Sequence, residues 1–169
     1  KDKNKKFFLG SKEEDRTFLK AKAEEGFNIK FTGERLTDVA IERFNREIDI
    51  IQQKNFEAYY LISYDIVRYA KAQGFSYVGR GSGANSLVAY CLDITNTDPI
   101  ELDLYFERFL NPERTSPPDF DMDFSWKDRD QIYEYIFDRY DNDHVALLGT
   151  HTTYQKRSNI RELGKVFGL

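Results

Sequence analysis

The sequence predicts an α/β or α+β domain, and three observations lead to this class. Several stretches space their apolar residues as helices do, and shorter stretches have the residue types of strands. One segment, residues 119–124, alternates acidic and apolar side chains with period two, which is typical of a strand. With 169 residues the chain is long enough to bury a core of its own.

Helical spacing and capping residues recur along the chain. Ser11 followed by Glu14 forms a capping box, which predicts that the first helix begins there. Residues 57–73 are apolar nearly all round, so we expect this helix to be central and to end at Gly74, while Ser125 is the predicted cap of a later helix. The predicted helices cover residues 11–26, 34–54, 57–73, 87–92 and 125–140, followed by a helix-like stretch after residue 150.

Short strands are predicted at residues 75–78, 119–124 and 143–148. In the second of these, Asp119, Asp121 and Asp123 share one face. Aspartate is depleted in strands and like charges on one face repel, so this face needs a cation. One cysteine and two histidines leave oxygen atoms as the ligands, which favours Mg²⁺ or Mn²⁺. Two such carboxylates, about 7 Å apart along a strand, suit the pair of ions used in phosphoryl transfer.

The acidic run has two other interpretations. Asp119, Asp121 and Asp123 match the opening of a calcium-binding EF-hand loop, but Phe124 stands at the sixth position, where that loop requires glycine. The run is also compatible with a solvated surface strand, although such a strand leaves the repulsion between its acids without a partner.

A glycine-rich turn at residues 79–86 is the candidate phosphate cradle. Its three glycines alternate with other residues and allow close approach of the backbone, while Arg80 and Ser82 supply donors. The helix that follows is expected to aim its free N–H groups and its positive dipole end at the same ligand. The turn matches neither the P-loop nor the dinucleotide-binding pattern, and its other interpretation is a simple chain reversal.

The remaining features are weaker. The net charge of −4 gives no overall sign of nucleic-acid binding, although Lys156, Arg157 and Arg161 form a basic tail. Arg114 is by default a structural arginine, and Cys91 is predicted to be in the core. His144 and His151 are interpreted as structural. Neither a signal peptide nor an apolar run of about 20 residues is visible, so we expect a cytoplasmic fragment of a larger protein.

Four motifs in order give the sequence a family resemblance. They are Gly79–Ala84, Ser86–Tyr90, Phe106–Arg114 and Pro118–Asp121. Together they resemble the palm region of the C-family of bacterial DNA polymerases, the family of the DNA polymerase III alpha subunit. The resemblance covers most of the chain from about residue 34 onward.

The resemblance implies a nucleotidyltransferase fold, similar to that of polymerase beta, with a mixed sheet and flanking helices. By motif match, Gly81 and Ser82 hold the triphosphate of the incoming nucleotide, and Arg108 reaches it as well. Asp119 and Asp121 are the implied ligands of two Mg²⁺ ions, for which Mn²⁺ can substitute. The family's third catalytic aspartate lies downstream, outside this sequence.

The resemblance also implies roles for other residues. Arg80 would help to neutralise the pyrophosphate, Asp123 would support the metal ligands, and the basic tail would follow the phosphates of duplex DNA. The implied division is a palm over residues 1–150 and the start of a thumb over residues 151–169. The implied partners are primer-template DNA, deoxynucleoside triphosphates, the rest of the polymerase chain, the sliding clamp and other holoenzyme subunits.

Some positions depart from the family pattern. Tyr77 and Val78 precede Gly79 in a shortened turn, Asn85 replaces a glycine, and residues 151–153 read His-Thr-Thr in place of Phe-Gly-Thr. Two further functions stay open at this point. One is another nucleotidyltransferase of the same superfold, and the other is a DNA-binding or assembly module without catalysis, which need not bind Mn²⁺ or Mg²⁺ through the paired acids.

Overall fold

The computed structural model describes residues 5–111, 113–151 and 153–168. These residues form six α-helices and two strands, in agreement with the α+β class. The helices are α1 (Lys12–Lys30), α2 (Asp38–Lys54), α3 (Glu57–Ala72), α4 (Leu87–Cys91), α5 (Arg129–His144) and α6 (Lys156–Val166). The strands are β1 (Tyr77–Arg80) and β2 (Asp121–Phe124), and short 3-10 segments lie at Gly33–Arg35, Gly81–Asn85 and Phe106–Arg108.

The sheet within the described residues consists of β1 and β2, which pair in antiparallel orientation. Tyr77 lies opposite Phe124, and Arg80 lies opposite Asp121. The mixed sheet implied by the resemblance requires at least one parallel pair, which this antiparallel pair does not provide.

α3 is central, as its apolar sequence predicts. Its first half, including Tyr60 and Leu61, belongs to the main core formed with α1, α2 and α4. Its second half, including Ile66 and Ala70, packs in a smaller cluster with Ile132 of α5. Because one helix contributes to both clusters, α3 joins the body of the domain to α5.

The first helix passes its predicted end. Gly26 lies inside α1, where a Cβ atom would come within 1.9 Å of the carbonyl oxygen of Cys91. The glycine is therefore required for the close approach of α1 to α4 and does not terminate the helix. Cys91 itself is buried, as predicted.

Two other helices also begin at positions that differ from the predicted ones. α2 begins later than predicted, because Thr37 caps it by accepting a hydrogen bond from the Ala40 N–H at 3.2 Å. The predicted cap at Ser125 is wrong, since α5 begins at Arg129. The Ser125 hydroxyl instead accepts a hydrogen bond from the Lys127 N–H at 3.3 Å, within a turn.

The strand predictions are correct in kind but not in their limits. β1 lies two residues further along the chain than predicted, and β2 begins at Asp121, so that Asp119 precedes it. The strand predicted at residues 143–148 is wrong, because α5 continues to His144 across a kink at Asp141, whose φ is 58°. Residues 145–148 have no regular secondary structure.

None of the helices in the described ranges combines the length and apolar character that a membrane crossing requires.

Candidate functional site

The antiparallel pairing of β1 with β2 brings the glycine turn against the acidic strand. Gly81 follows β1 directly and has a φ of +71°, a conformation that favours glycine. A Cβ atom at this position would lie 2.5 Å from Oδ2 of Asp121. Both the backbone conformation and the neighbouring carboxylate therefore call for glycine here, and the turn and the acid are in contact.

Arg80 is the cation that faces the acidic strand. Its Nε donates to Oδ2 of Asp123 at 2.6 Å, and its Nη1 lies 3.5 Å from Oδ2 of Asp121. The hydrogen bond to Asp123 and the charges of both carboxylates raise the pKa of the guanidinium, so Arg80 remains charged. One arginine does not balance the three carboxylates of the run, and the surface stays acidic.

The position of Asp119 is set by contacts of the next residue, Phe120, and not by contacts of the Asp119 side chain. The Phe120 N–H donates to the Tyr59 hydroxyl at 2.6 Å, and the Phe120 ring stacks on Tyr59 with centroids 5.1 Å apart. Burial, with the charges of Asp119 and Asp121, raises the pKa of Tyr59 to about 12. The Asp119 carboxylate is exposed and accepts no hydrogen bond from the described residues. Sequence reasoning missed Tyr59, which reads as one of many aromatic residues in α3.

The apolar face of the acidic run packs inward, as its alternation predicts. Phe120 also meets Tyr60 and Phe109, with ring centroids 5.0 and 4.8 Å away. A Cβ atom on Gly83 would lie 2.8 Å from the Phe120 ring. The Gly81–Asn85 turn is therefore packed on the same side chain that anchors the acidic run.

The N-terminus of α4 is occupied by a carboxylate of the protein, so the expectation that its N–H groups face a phosphate is wrong. The buried Glu47 accepts hydrogen bonds from the N–H groups of Leu87 at 3.0 Å and Val88 at 3.2 Å. It also accepts from the Ser86 hydroxyl at 2.9 Å, and that hydroxyl accepts from the Ala89 N–H at 3.1 Å. These donors are no longer available to a ligand.

Glu47 could have been found from its spacing in α2. Phe44, Glu47, Ile48 and Ile51 lie on one helical face, so an acid stands within an apolar stripe. Burial raises the pKa of Glu47, and the Arg43 guanidinium, which donates to it at 2.6 Å, opposes this rise together with the backbone donors. Glu47 therefore caps the N-terminus of α4, although it lies in α2, far from α4 in the sequence.

Arg108 lies near the turn. It ends the 3-10 segment Phe106–Arg108, which packs against Gly81–Asn85. Its side chain is exposed, and within the described ranges its guanidinium has no hydrogen-bond or ion-pair partner. Arg114, in contrast, donates to the carbonyl oxygens of Phe109 at 3.1 Å and Ser116 at 3.0 Å, which confirms its structural role.

The basic tail belongs to a separate element. Lys156, Arg157 and Arg161 lie on α6, which has no buried residue, and Arg161 pairs with Glu162 at 2.9 Å. His144, one of the two histidines interpreted as structural, contacts Asp141 through Nδ1 at 3.1 Å near the end of α5. The prediction for the tail, contact with nucleic-acid phosphates, stays a prediction.

The available carboxylates suit a cation whose ligands come partly from the protein and partly from a substrate. The described residues contain no group of three or more histidine, cysteine, aspartate and glutamate side chains arranged to hold a metal ion. Asp121 supplies carboxylate oxygen atoms beside Gly81, and Asp119 stands two residues earlier in the same acidic run. Mg²⁺ is commonly bound by one or two carboxylates together with water and substrate phosphates, so these two residues fit it.

The architecture and the candidate site together describe an α+β domain whose two paired strands present carboxylates beside a glycine-serine turn. Comparison with known families gives the particular group. The model of the bacterial DNA polymerase III alpha NTPase domain matches residues 17–169, and the chain belongs to this family. The family resemblance of the four motifs is thereby confirmed.

Individual relatives agree with this assignment. The DNA polymerase III subunit alpha of Ureaplasma parvum serovar 3 is 45% identical over 136 residues, which cover 80% of this chain and 14% of that protein. The error-prone DNA polymerase of Brucella abortus biovar 1 is 45% identical over 125 residues, or 74% of this chain and 12% of the relative. That of Vibrio vulnificus strain YJ016 is 37% identical over 153 residues, or 90% and 15%. The chain therefore spans about one seventh of the length of its relatives.

Proposed function

We propose that this chain is the palm segment of a bacterial DNA polymerase of the DNA polymerase III alpha type, which adds deoxynucleotides to a primer 3′ hydroxyl. The observation that carries the proposal is the contact between Gly81 and the Asp121 carboxylate, where β1 pairs with β2. Because of this contact, a candidate triphosphate cradle would lie beside a candidate metal ligand. The names of the relatives support the same activity.

Asp119 and Asp121 would hold two Mg²⁺ ions, or Mn²⁺ in their place. When bound, such ions lower the pKa of an attacking hydroxyl and stabilise the charge on the leaving oxygen. The Asp119 carboxylate accepts no hydrogen bond from the described residues, and Asp121 has only the 3.5 Å contact to Arg80. Both are therefore available as ligands at little cost in lost contacts.

The triphosphate would be bound by Gly81, Ser82, Arg80 and Arg108. Because Glu47 occupies the N-terminus of α4, the donors for the phosphates would come from the turn itself and from the two guanidinium groups. Both arginines carry a fixed positive charge and donors in a planar fork, which suits phosphate oxygens. Their preorganised charge would stabilise the pyrophosphate as it leaves.

Asp123 would act through Arg80. The hydrogen bond that Asp123 accepts from the Arg80 guanidinium at 2.6 Å keeps that cation beside the acidic strand β2. Asp123 is thus a supporting neighbour of the metal ligands and would not bind the ions itself.

We infer the wider organisation from the family resemblance. Residues 1–150 would form the first part of a palm with the nucleotidyltransferase fold, whose mixed sheet would be completed by further strands of the polymerase. Residues 151–169 would begin the thumb, where Lys156, Arg157 and Arg161 contact the phosphates of the primer-template duplex. Other parts of the polymerase would engage the sliding clamp and the remaining holoenzyme subunits in the bacterial cytoplasm.

The test is primer extension by the complete polymerase that contains this chain. Asp119→Ala and Asp121→Ala are each expected to reduce the rate of incorporation by more than about 100-fold, the scale of losing charge stabilisation in a transition state. Asp49→Ala, an exposed aspartate on α2, is the matched control and is expected to leave the rate unchanged. Near-normal synthesis by either of the first two variants would contradict the ligand assignment.

The isolated chain is expected to show no template-dependent incorporation. Two carboxylates without the third leave the site incomplete, and the proposal assigns template binding to other parts of the polymerase. Detectable incorporation by the purified 169-residue chain, dependent on template and abolished by Asp121→Ala, would refute this expectation.

A further inference from the structure

We infer that Asn85 is a positioning residue that holds Ser82 in place for the nucleotide, an inference that rests on the proposed function. Asn85 ends the Gly81–Asn85 segment and is only 7% exposed. Its Nδ2 donates to the carbonyl oxygen of Ser82 at 2.9 Å. Asn85 itself is too deeply buried to be a principal contact of the triphosphate, so its effect passes through Ser82.

Asn85 is in turn anchored to the buried network below the turn. The Arg43 guanidinium donates through Nη2 to the carbonyl oxygen of Asn85 at 2.8 Å and through Nε to Glu47 at 2.6 Å. Glu47 is fully buried and caps α4. A continuous series of hydrogen bonds therefore joins Ser82, through Asn85 and Arg43, to a fixed carboxylate in the core.

The turn needs such an anchor because of its composition. Ser82 stands between Gly81, which has a φ of +71°, and Gly83. Glycines on both sides leave the backbone of Ser82 with few steric restraints of its own. A donor that is to bind a ligand tightly must be fixed before the ligand arrives, and the Asn85 amide supplies that restraint from outside the glycine pair.

The oxygen atom of the Asn85 side-chain amide indicates that asparagine is not the most stable residue for this buried position. Its Oδ1 is the buried side-chain nitrogen or oxygen atom that lacks a hydrogen-bond partner in the described part of the chain. Leaving a buried acceptor unpaired is destabilising, and a small apolar residue would avoid this cost. The hydrogen bond that Nδ2 of Asn85 donates to the Ser82 carbonyl oxygen is the contact that explains why an amide stands here.

The test is steady-state nucleotide incorporation by the complete polymerase. Asn85→Ala is expected to raise the KM for the deoxynucleoside triphosphate about fivefold, the scale of one lost hydrogen bond, while kcat changes less than about twofold. This split is expected because Ser82 would contact the phosphates equally before and during the reaction. An unchanged KM for a folded Asn85→Ala variant would overturn the inference.

Two further variants separate positioning from general damage. Asp65→Asn disturbs a buried carboxylate between α3 and α5, away from the turn, and is expected to leave the KM unchanged while lowering stability. In a Ser82→Ala background, Asn85→Ala is expected to raise the KM by a smaller factor than in the wild type, because both changes act on one contact. Equal factors in the two backgrounds would also overturn the inference.

A second pair of substitutions keeps the test decisive if Asn85→Ala does not fold. Asn85→Ser retains a hydroxyl donor, whereas Asn85→Cys has nearly the same size and a thiol that donates only weakly. The KM is expected to rise more for Asn85→Cys than for Asn85→Ser, and equal values would contradict the inference. If Ser82→Ala and Asp121→Ala both leave synthesis normal, the proposed function fails. If those variants behave as proposed and only the Asn85 results differ, the positioning role alone fails.

Discussion

Two groups of carboxylates in this protein have the same chemistry and opposite surroundings. Glu47 and Asp65 are buried and accept several hydrogen bonds each, Asp65 from the hydroxyl groups of Tyr135 at 2.7 Å and Tyr140 at 2.8 Å. Asp119 is exposed and accepts none from the described residues, and Asp121 has only a 3.5 Å contact to Arg80. The first group connects elements of the fold, and the second is held only by its backbone.

The difference separates acids that hold the protein together from acids that are free to bind a ligand. A buried carboxylate is tolerated only when donors surround it, so its oxygen atoms are already used. An exposed carboxylate on a rigid backbone keeps its oxygen atoms available. Phe120 provides the rigidity at the candidate site, because its ring and its N–H are both anchored in the core.

The largest expected effect is the loss of the Glu47 carboxylate. Glu47→Ala should lower the free energy of unfolding by about 3–5 kcal/mol, because it leaves Arg43 and the N–H groups of α4 without their acceptor. Asp121→Ala should lower it by less than about 1 kcal/mol, since its ion pair is exposed. Urea unfolding of the 169-residue chain measures both values. Similar losses for the two variants would break the distinction between the groups.

The next largest expected effect is on the dependence of stability on pH, through Asp65. Burial raises the pKa of Asp65, but hydrogen bonds from Tyr135 and Tyr140 and the charge of Arg139 outweigh it, so the pKa is lowered overall. A carboxyl whose pKa is lower in the folded state stabilises the fold above its unfolded value, about pH 4. This stabilisation is lost as the pH falls through the folded pKa.

Asp65→Asn should therefore lower the free energy of unfolding by about 1–3 kcal/mol at pH 7. The difference from the wild type should shrink as the pH falls below about 4, because Asp65 is then protonated in the unfolded chain, and it should be lost as the pH falls through the lower pKa of folded Asp65. Urea unfolding of both proteins at pH 7, 5 and 3.5 tests this. A difference that stays constant down to pH 3.5 would show that ionised Asp65 is not what joins α3 to α5.

The smallest effect on stability separates two glycines. Gly74 and Gly81 have φ values of +73° and +71°, but a Cβ atom meets nothing within 4 Å at Gly74 and lies 2.5 Å from the Asp121 carboxylate at Gly81. Alanine should cost about 1–2 kcal/mol at either position, because of the left-handed backbone. The exposed Asp121 side chain can turn away from a new methyl group, so the stability losses should be similar.

Function should distinguish these two variants. In the complete polymerase, Gly81→Ala should lower the rate of incorporation about 10- to 100-fold by displacing Asp121, the proposed metal ligand, whereas Gly74→Ala should not change it. Equal rates for the two variants would show that the position of the Asp121 carboxylate is not set by Gly81.

Much of the fold was predictable because it depends on local pattern. The apolar residues of α3, the capping box at Ser11 and the alternation of residues 119–124 each express a preference of neighbouring residues for one conformation. The limits of the elements were less predictable. Gly26 looked like a helix end and is a packing residue, because its reason for being glycine is Cys91, far along the chain.

The candidate site shows the same division. The residue types at positions 80–82 and 119–121 could be selected from the sequence, because the glycine-serine turn and the paired acids occur in the order of the family motifs. The hydrogen bonds that occupy the α4 N-terminus could not be predicted, since Glu47 is 40 residues from Leu87. Tyr59 and Asn85 were missed for the same reason, as their partners lie in other segments or in a turn whose shape is set by packing.

The family, the α+β class and the set of acids, glycines and arginines available for a site could be inferred from the amino-acid sequence alone. Which carboxylates have free oxygen atoms and which are used depends on the three-dimensional fold. Exposure depends on contacts between distant segments, such as those of Glu47 with α4 and of Phe120 with Tyr59. A carboxylate keeps oxygen atoms available to a ligand where the fold gives it a fixed backbone and few donors, as at Asp119, which has none among the described residues, and at Asp121, which has one 3.5 Å contact to Arg80.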